Sequence, residues 1–516
     1  MKNDNPPRPI IIWLERAILA CLFLIAAFAP ISIAATQTAW LLGLTLWALR
    51  FLFFPRPQLY RSPIDYALLG FFILSGISGV FSYNPVMSIG KMRAASLFTI
   101  AYLVSQNVRS IRIVRLLAIT LIASCLLTAV VTVGRFAIGK GVKVYGVKPD
   151  SPLSQAVFRT RTIKQPTPII DGDTIWEVDG QSVNDPEQLA VALSASPTAQ
   201  IANVKIYRVE WTPGLEVPRG HLLQESNAIG QLGISGWSRG RDWRATGFYG
   251  HWVTYAEALQ LIASLALGLF LSVPIKRSSA ALFFLFSEAT IIVALGLTVT
   301  RASWIGFATS AILMLAISAS RRTRIVAGAI AIPLVLAGVF VLQQKRSIGF
   351  FDSKDQSTTW RETVWREGFN LLVSSPRHLL VGVGVDSIKG HWREWGLFDH
   401  GRLPVGHMHS NLLQIAVERG VPALVVWLIL LGVYGRMLWK TLRANGSEQN
   451  WVERGIALGA LGGLVGFFIS GIVHYNWGDS EVVMILYFIM GLSLVVHRHS
   501  DRQMQEEGWL TRGIRG

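Results

Sequence analysis

Two histidines one residue apart precede an apolar run in the stretch "VGHMHSNLLQIAVERG", residues 405–420. Histidine exchanges protons near neutral pH, because its unperturbed pKa is about 6.5. His407 and His409 therefore fit three roles: a base that activates a hydroxyl, half of a metal site, or a cap for the helix that the apolar run predicts. In the last case Ser410 or Asn411 would be the true N-cap.

The metal role has the weakest support in the sequence. Alternate residues on a strand share a face, so "HMH" could supply two ligands, and Asp386 and Asp399 lie nearby in the chain. No third ligand stands at a recognisable spacing. We therefore predict no metal at this site.

Two arginines carry the other chemistry. Arg244 stands in "RATGFYG" and Arg301 in "TRASW", each at the edge of an apolar run. A guanidinium fork binds phosphate oxygens well, although an arginine flanking a membrane span more often reaches lipid phosphates. Secondary candidates flank other apolar runs, namely Lys91, Arg93, His474 and Asp479.

The composition places these residues in a membrane protein. Of 516 residues, 51% are hydrophobic and only 15% are charged. Apolar stretches near 20 residues long predict about twelve transmembrane helices. They lie near 11–34, 37–54, 64–82, 92–107, 112–137, 251–274, 279–300, 302–320, 323–343, 411–438, 453–474 and 480–497.

Lysine and arginine in short loops predict the orientation, since such charges stay on the cytoplasmic side. The basic loops follow the even-numbered spans, with examples at Arg56, Arg109, Arg277, Arg321, Arg443 and Arg498. Both termini are thus expected in the cytoplasm, and 138–250 and 344–408 outside it. The net charge of +17 reflects this topology, so we expect no nucleic-acid partner.

The first external segment changes character after Gly139. Alternating strands, the turn "DGD" and the helix-like "DPEQLAVALS" predict a small α/β module. Its order resembles bacterial PDZ domains, with "PDSPLSQA" and "DGDTIWEVDGQSV" between a valine-rich first strand and the closing strand "VKIYRV". The resemblance implies that an extended peptide or protein terminus can add to this module as a strand. The glycine loop that holds such a terminus is weakly echoed by "IGKG", residues 138–141. A packing or spacer role is the alternative.

The rest of the chain resembles the O-antigen ligase and polymerase superfamily. The resemblance rests on "HSNLLQIAVERG", "TRASW", "RATGFYG" and an "R-x-x-x-W" element at Arg361 and Trp365. It implies a membrane glycosyltransferase of the bacterial inner membrane with a periplasmic active site. It also implies an undecaprenyl-diphosphate-linked glycan as donor, and no metal or cofactor. By the same resemblance His409 is the catalytic residue, while Arg244 and Arg301 hold the donor diphosphate.

The resemblance leaves the acceptor open. We expect transfer to lipid A–core oligosaccharide, as in a ligase. The alternatives are a second lipid-linked glycan, as in a polymerase, or a protein hydroxyl, as in a protein O-oligosaccharyltransferase. Outside glycosyl transfer, a transporter would show paired halves with interrupted helices, and the sequence has no such repeat. A protease-regulating sensor would have no use for the external histidine and arginines.

The expected fold is therefore an all-α polytopic membrane protein with one small α/β insert. Transmembrane helices 1–5 occupy residues 1–138, and the PDZ-like insert occupies 139–225. Helices 6–9 and their periplasmic lead-in occupy 226–343. The periplasmic catalytic loop occupies 344–410, and helices 10–12 with a cytoplasmic tail occupy 411–516.

Overall fold

The computed structural model describes most of the chain. The described residues are 9–159, 164–196, 198–208, 211–318, 320–326, 328–329, 333, 356–444 and 450–513. They divide into two compact units, Met1–Ala129 with Thr246–Gly516, and Val130–Ala245. The first unit is built from helices, and the second contains a β-sheet.

The helices begin where the sequence offers caps and continue through apolar runs. Ser32, Ser278 and Asn450 each accept a backbone N–H bond at a helix start, as N-cap residues do. In chain order the helices are α1 Pro9–Phe28, α2 Ile33–Arg50, α3 Asp65–Val80, α4 Pro85–Gly90, α5 Met92–Ala95, α6 Thr99–Asn107, α7 Ile111–Ile138, α8 Pro186–Leu193, α9 Ala228–Gln231, α10 Trp252–Ser272, α11 Ser279–Leu297, α12 Arg301–Ser318, α13 Gln356–Val373, α14 Pro376–Val381, α15 Ser387–His391, α16 Leu397–Gly401, α17 Asn411–Ala444, α18 Trp451–Ser470 and α19 Ser480–Gly513.

Eight helices within the described residues are long and apolar enough to cross a membrane: α1, α7, α10, α11, α12, α17, α18 and α19. The protein is therefore a multi-pass membrane protein. Helices α2 and α3 coincide with the second and third predicted spans, and α3 is the shorter. The ninth predicted span, 323–343, lies mostly outside the described residues. A total of twelve spans stays a prediction.

The fourth predicted span, 92–107, is not one continuous helix. It is divided into α5, a 3₁₀ turn at Ser96–Phe98, and α6. The Ser96 hydroxyl donates to the carbonyl of Arg93, and the Thr99 hydroxyl donates to that of Ser96. Such local bonds compete with regular helix geometry, and they explain why an apolar pattern alone missed the break.

Close helix contacts in the first unit depend on glycine. Helices α10 and α18 touch backbone to backbone. A Cβ added at Gly459 would lie only 2.7 Å from the Cα of Leu265, so the absence of a side chain there permits the contact. Gly306 of α12 and Gly466 of α18 approach each other in the same way. Small residues are the usual means by which membrane helices pack closely. Most residues of α10 and α18 are accordingly buried within the protein.

Helix α17 is interrupted near its first third. Gly420 has a φ of 83°, and Pro422 follows two residues later. The loop after α14 packs against this break: Val383 N–H donates to the carbonyl of Val417, and Gly384 N–H to that of Glu418. These bonds satisfy backbone groups near the break, which apolar surroundings would otherwise leave without a partner.

The second unit is built on a sheet with strands β1 Lys140–Tyr145, β2 Val157–Arg159, β3 Lys164–Pro166, β4 Thr174–Val178, β5 Gln181–Ser182, β6 Ile201–Tyr207, β7 Gly214–Pro218 and β8 Gly236–Gly240. The order is β3-β2-β7-β6-β4-β1-β8, all antiparallel, with β5 paired to β4. Alternating residues face a core that includes Val144, Ile175, Val204 and Leu189.

This unit matches the predicted insert in part. The strands before and after "DGD" and the helix α8, capped by Asp185, lie where the sequence predicts them. The compact unit extends to Ala245, beyond the expected end at 225, because β8 adds to the sheet. The presence of a small sheet is confirmed, and a PDZ fold stays a prediction.

The glycine contacts between α10 and α18 yield a stability prediction. We expect Gly459→Leu to destabilise the protein by roughly 1–3 kcal/mol or more, because the new side chain would overlap the α10 backbone. Gly432→Leu is the matched control, since a Cβ there meets nothing within 4 Å. Thermal unfolding in detergent measures both. Equal melting temperatures for the two variants would contradict the close approach.

Candidate active site

His409 has an unusual backbone conformation. Its φ is 49°, in the left-handed region that non-glycine residues seldom adopt. Its N–H donates to Nδ1 of His407 at 3.1 Å, and the two rings lie 3.9 Å apart. Trp360 packs edge-on against the His409 ring at 4.2 Å. Conformations of this kind persist when surrounding contacts impose them, and they are enriched at functional sites.

The neighbouring Met408 supplies those contacts. Its carbonyl accepts a hydrogen bond from Trp365 Nε1 at 2.8 Å, and its N–H donates to Gln414 Oε1 at 2.6 Å. Its side chain is fully buried. The loop is therefore fixed from both sides, by α13 and by the first turn of α17. The two predicted residues Trp365 and His409 are thus brought together.

Asn411, the first residue of α17, connects this loop to the segment after α18. Its N–H donates to the Gly471 carbonyl at 2.8 Å. Its side chain donates to Asn476 Oδ1 and accepts from the Trp477 N–H. If this stretch only capped a helix, these bonds would be unexplained, because they join the start of α17 to a second loop.

Both histidines are neutral at pH 7. Burial, then the nearby imidazole of His407, the guanidinium of Arg361 and the imidazoles of His474 and His251, lower the pKa of His409 to about 2. Burial and Lys389, His474 and His251 lower the pKa of His407 to about 4. Neutral imidazole can accept a proton, but the surroundings oppose the resulting charge. His409 therefore needs added negative charge nearby before it can work as an effective base.

A second group of titratable residues joins α10 to the loop before α19. His474 Nδ1 lies 3.0 Å from Glu257 Oε1, and both side chains are buried. The Thr254 hydroxyl donates to Asp479 Oδ2 at 2.9 Å. Burial and the nearby carboxylate of Glu257 raise the pKa of Asp479 to about 7. The charge of Asp479 thus changes within the physiological pH range.

Arg301 lies at the same end of the helices as Asp479. Ser264 and Ser310 share a hydrogen bond, at a separation of 46 residues. Gln260 touches Gly306, so α10 and α12 run parallel at a constant offset. Arg301, the first residue of α12, therefore lies toward the end of the helix pair at which α10 begins, the end that carries Thr254.

A cavity of about 210 Å³ lies beside these groups. It is smaller than the usual pocket of a drug-sized ligand, so it suits one end of a larger substrate. The charged and titratable lining residues are Lys91, Asp386, Lys389, His407, Glu418, Arg419, Tyr475 and Asp479.

Ion pairs fix the charged lining of this cavity. Asp386 pairs with Lys91 at 3.0 Å and with Lys389 at 2.8 Å. Burial raises the pKa of Asp386, but hydrogen bonds from the two ammonium groups outweigh it and the net pKa is lowered. Buried Arg419 pairs with Glu418 at 3.1 Å. The lining thus holds three cationic and two acidic groups besides Asp479.

The remaining predicted residues are placed as follows. Arg361 is one of the charges that act on His409, and His474 is another. Arg93 is exposed and does not line the cavity. Arg244 belongs to the second unit, after β8. In the described part of the chain, no three histidine, cysteine or acidic residues are grouped so that they could hold a metal ion.

Sequence reasoning missed Glu257, Glu418 and Arg419. A usable signal was present, since all three interrupt apolar runs, and ionisable residues within membrane spans are costly and often functional. The predicted charged site residues lie at the ends of spans or in loops, whereas these three charges lie inside spans. Trp360 was also missed, because it precedes Arg361 and lies outside the "R-x-x-x-W" element that selected Trp365.

Comparison with known proteins supports the family resemblance. Residues 259–428 match the model of the O-antigen ligase family. The matched range covers about a third of the chain and includes Arg301, Arg361, Trp365 and His409, but neither Arg244 nor the β-sheet unit. No curated protein matches the chain. The protein is thus similar to O-antigen ligases over its central helices and the histidine loop.

Asp479 yields a prediction about pH. If its carboxylate form supports the reaction, kcat/KM for glycan transfer should rise as pH increases through about 7, the pKa to which burial raises this group. Asp479→Asn should lower the rate and remove that inflection. In the control Glu481→Gln the inflection should persist at the same or a slightly lower pH, since the charge of Glu481 helps to raise the pKa. An unchanged profile in Asp479→Asn would exclude this group from the pH dependence.

Proposed function

We propose that the protein is an O-antigen ligase-type glycosyltransferase at the periplasmic face of the bacterial inner membrane. It transfers a glycan from undecaprenyl diphosphate to lipid A–core oligosaccharide with inversion, and its own side chains supply the base and the charge stabilisation. The observation that carries the proposal is the half-buried His409, held in a left-handed conformation by His407 and Trp360, within the range that matches the O-antigen ligase family.

His409 is the proposed base. The acceptor oxygen forms a bond to the anomeric carbon while the bond from that carbon to the diphosphate oxygen breaks. The hydroxyl proton moves to the His409 imidazole, and undecaprenyl diphosphate leaves. A positioned base of this kind contributes roughly 10²–10⁴-fold to the rate.

The low pKa of His409 implies an order of events. Burial, and then nearby groups that include Arg361, hold this pKa near 2 in the free protein. A bound diphosphate brings negative charge, which stabilises imidazolium and raises the pKa of histidine. The base therefore becomes effective only when the donor is present. In the free protein His409 stays unprotonated and remains ready to accept the proton of the acceptor hydroxyl. The Asp479 carboxylate, in the same cavity as His407, adds negative charge in the same sense.

The proposed donor site consists of arginines. Charge accumulates on the diphosphate as the glycosidic bond breaks, and preorganised guanidinium groups stabilise it. Arg301, at the Asp479 end of α12, and Arg244 are the proposed ligands. Lys91 and Lys389 add positive charge on the cavity wall.

The choice between ligase and polymerase rests on the acceptor. We expect a deletion strain to lose all polymer from lipid A–core while its lipid-linked polymer persists, because a ligase acts after chain growth. Gel analysis of surface glycolipids measures this directly. A band with a single repeat unit on lipid A–core would show a polymerase, and an unchanged ladder with unglycosylated protein would show a protein oligosaccharyltransferase.

His409→Ala should abolish transfer in vitro while insertion and donor binding remain, because the base is needed only when the hydroxyl attacks. His407→Ala is the matched control and should be much milder, since that ring supports its neighbour through one N–H bond. Transfer from a purified undecaprenyl-diphosphate glycan is the assay. Turnover near the wild-type value in His409→Ala would remove this residue from the mechanism.

Arg244→Lys and Arg301→Lys separate phosphate binding from contact with lipid. Lysine lacks the planar fork but serves equally well at a lipid surface. Each variant should insert correctly yet lose about tenfold or more in turnover, with acceptor affinity little changed. Arg436→Lys, at an exposed position of α17, is the control for expression and detergent stability. Variants indistinguishable from wild type would place the donor site elsewhere.

A further inference from the structure

Strand β8 covers one edge of β1 in the second unit. The two strands are antiparallel, with Lys143 opposite Ser238, Val144 opposite Trp237, and Tyr145 opposite Gly236. The other edge of β1 pairs with β4. Strand β1 therefore has hydrogen-bonding partners on both sides.

The covered edge of β1 is also the edge at which the resemblance to PDZ domains predicts strand addition. The "IGKG" stretch leads directly into β1, and Gly139 and Gly141 have φ values of 86° and 77°. The N–H of Gly141 donates to Asn184 Oδ1, just before helix α8. A peptide added beside this glycine loop and helix would lie along β1. Residues 236–240 of the chain occupy that place.

Contacts along β8 resemble those of a bound peptide. Trp237 packs against the apolar core of the sheet unit. The Ser238 hydroxyl lies 3.2 Å from the Tyr145 hydroxyl. Gly240 fits closely, since a Cβ there would lie 2.3 Å from Thr174 Cγ2 and 2.8 Å from the Lys140 carbonyl. Main-chain pairing supplies the affinity and alternate side chains supply the specificity.

The segment beyond β8 is held to the same unit. Asp242 forms an ion pair with Lys143 of β1. The Trp243 ring lies 5.3 Å from that of Phe136. Arg244 is the next residue in the chain. Two successive contacts, at Asp242 and Trp243, therefore fix the backbone that leads to Arg244.

We infer that residues 236–243 are the intramolecular ligand of the sheet unit, and that this pairing positions the backbone of Arg244. The edge of β1 is thereby closed to a peptide from another chain, and the unit serves as an anchor. The pairing itself stands on the contacts above, whereas its effect on transfer rests on the proposed role of Arg244 at the donor.

Peptide binding to the full-length protein tests the closed edge. The probe is a fluorescent peptide with the sequence of residues 233–243, GISGWSRGRDW, measured by anisotropy with protein in nanodiscs. Wild type should not bind it. Gly240→Val should bind it, because valine displaces the end of β8 and exposes β1. Binding by wild type, or by neither protein, would overturn the inference.

A cross-link tests the paired state without disturbing it. Facing antiparallel residues have Cα atoms at disulfide distance, so Lys143→Cys with Ser238→Cys should form a disulfide, in a background with Cys21 and Cys125 replaced by alanine. Lys143→Cys with Arg239→Cys is the off-register control and should cross-link far less. The oxidised, locked protein should transfer as fast as the same variant after reduction. Loss of transfer on oxidation, restored by reduction, would show that β8 must leave β1, and would overturn the anchor role.

A double-mutant cycle tests whether β8 acts through Arg244. Gly240→Val should lower turnover by about tenfold, since small displacements of a positioned group are costly, and should add no loss in an Arg244→Ala background. Additive losses would overturn the positioning role. If Arg244→Ala alone leaves transfer unchanged, the proposed donor site fails, while the peptide and cross-link results still decide whether β8 closes the edge.

Discussion

Polar groups buried at the ends of apolar helices must find partners inside the protein, because neither lipid nor the packed interior supplies hydrogen bonds. The first unit meets this requirement with side chains from distant parts of the chain. Asn411 binds Asn476, His474 binds Glu257, and Asp479 accepts from Thr254. These bonds hold the start of α17, the start of α10 and the loop before α19 together, and the position of His409 follows from them.

The same burial that organises the site sets its electrostatics. A solvated histidine would titrate near neutrality, but burial and neighbouring cations hold the pKa of His409 near 2. Burial moves the pKa of Asp479 in the opposite sense, to about 7. Both shifts favour the neutral form, and both would be reduced by a charge of the opposite sign. An anionic substrate would therefore raise the pKa of His409 and make it a better base, as the proposed diphosphate donor requires, whereas it would raise the pKa of Asp479 further.

The sheet unit presents a different use of main-chain pairing. An exposed strand edge invites pairing with other chains unless something covers it. Here β8 covers the edge of β1 with a segment of the same chain. In the inferred arrangement, a unit that resembles a peptide-binding module serves as a fixed support. This arrangement weakens the case for a protein acceptor, since a closed edge on β1 leaves no place there for an acceptor peptide.

The sequence by itself determined the local features of the protein. Apolar runs predicted the eight confirmed membrane-length helices, and strand alternation and Asp185 predicted the sheet elements and helix α8. The motif around His409 located the loop that Trp365 holds. These features depend on neighbouring residues, so short windows suffice to find them.

Only the tertiary structure decided which distant groups meet. Thr254 and Asp479 are 225 residues apart, and β8 reaches β1 across most of the sheet unit. The break at Gly420 is fixed by the backbone of Leu380, which leaves no room for a Cβ. Such contacts depend on helix offsets and strand register, which hydropathy does not specify. The low pKa of His409 could likewise not be read from the sequence, because it arises from burial, from the adjacent His407, and from residues on three other segments of the chain.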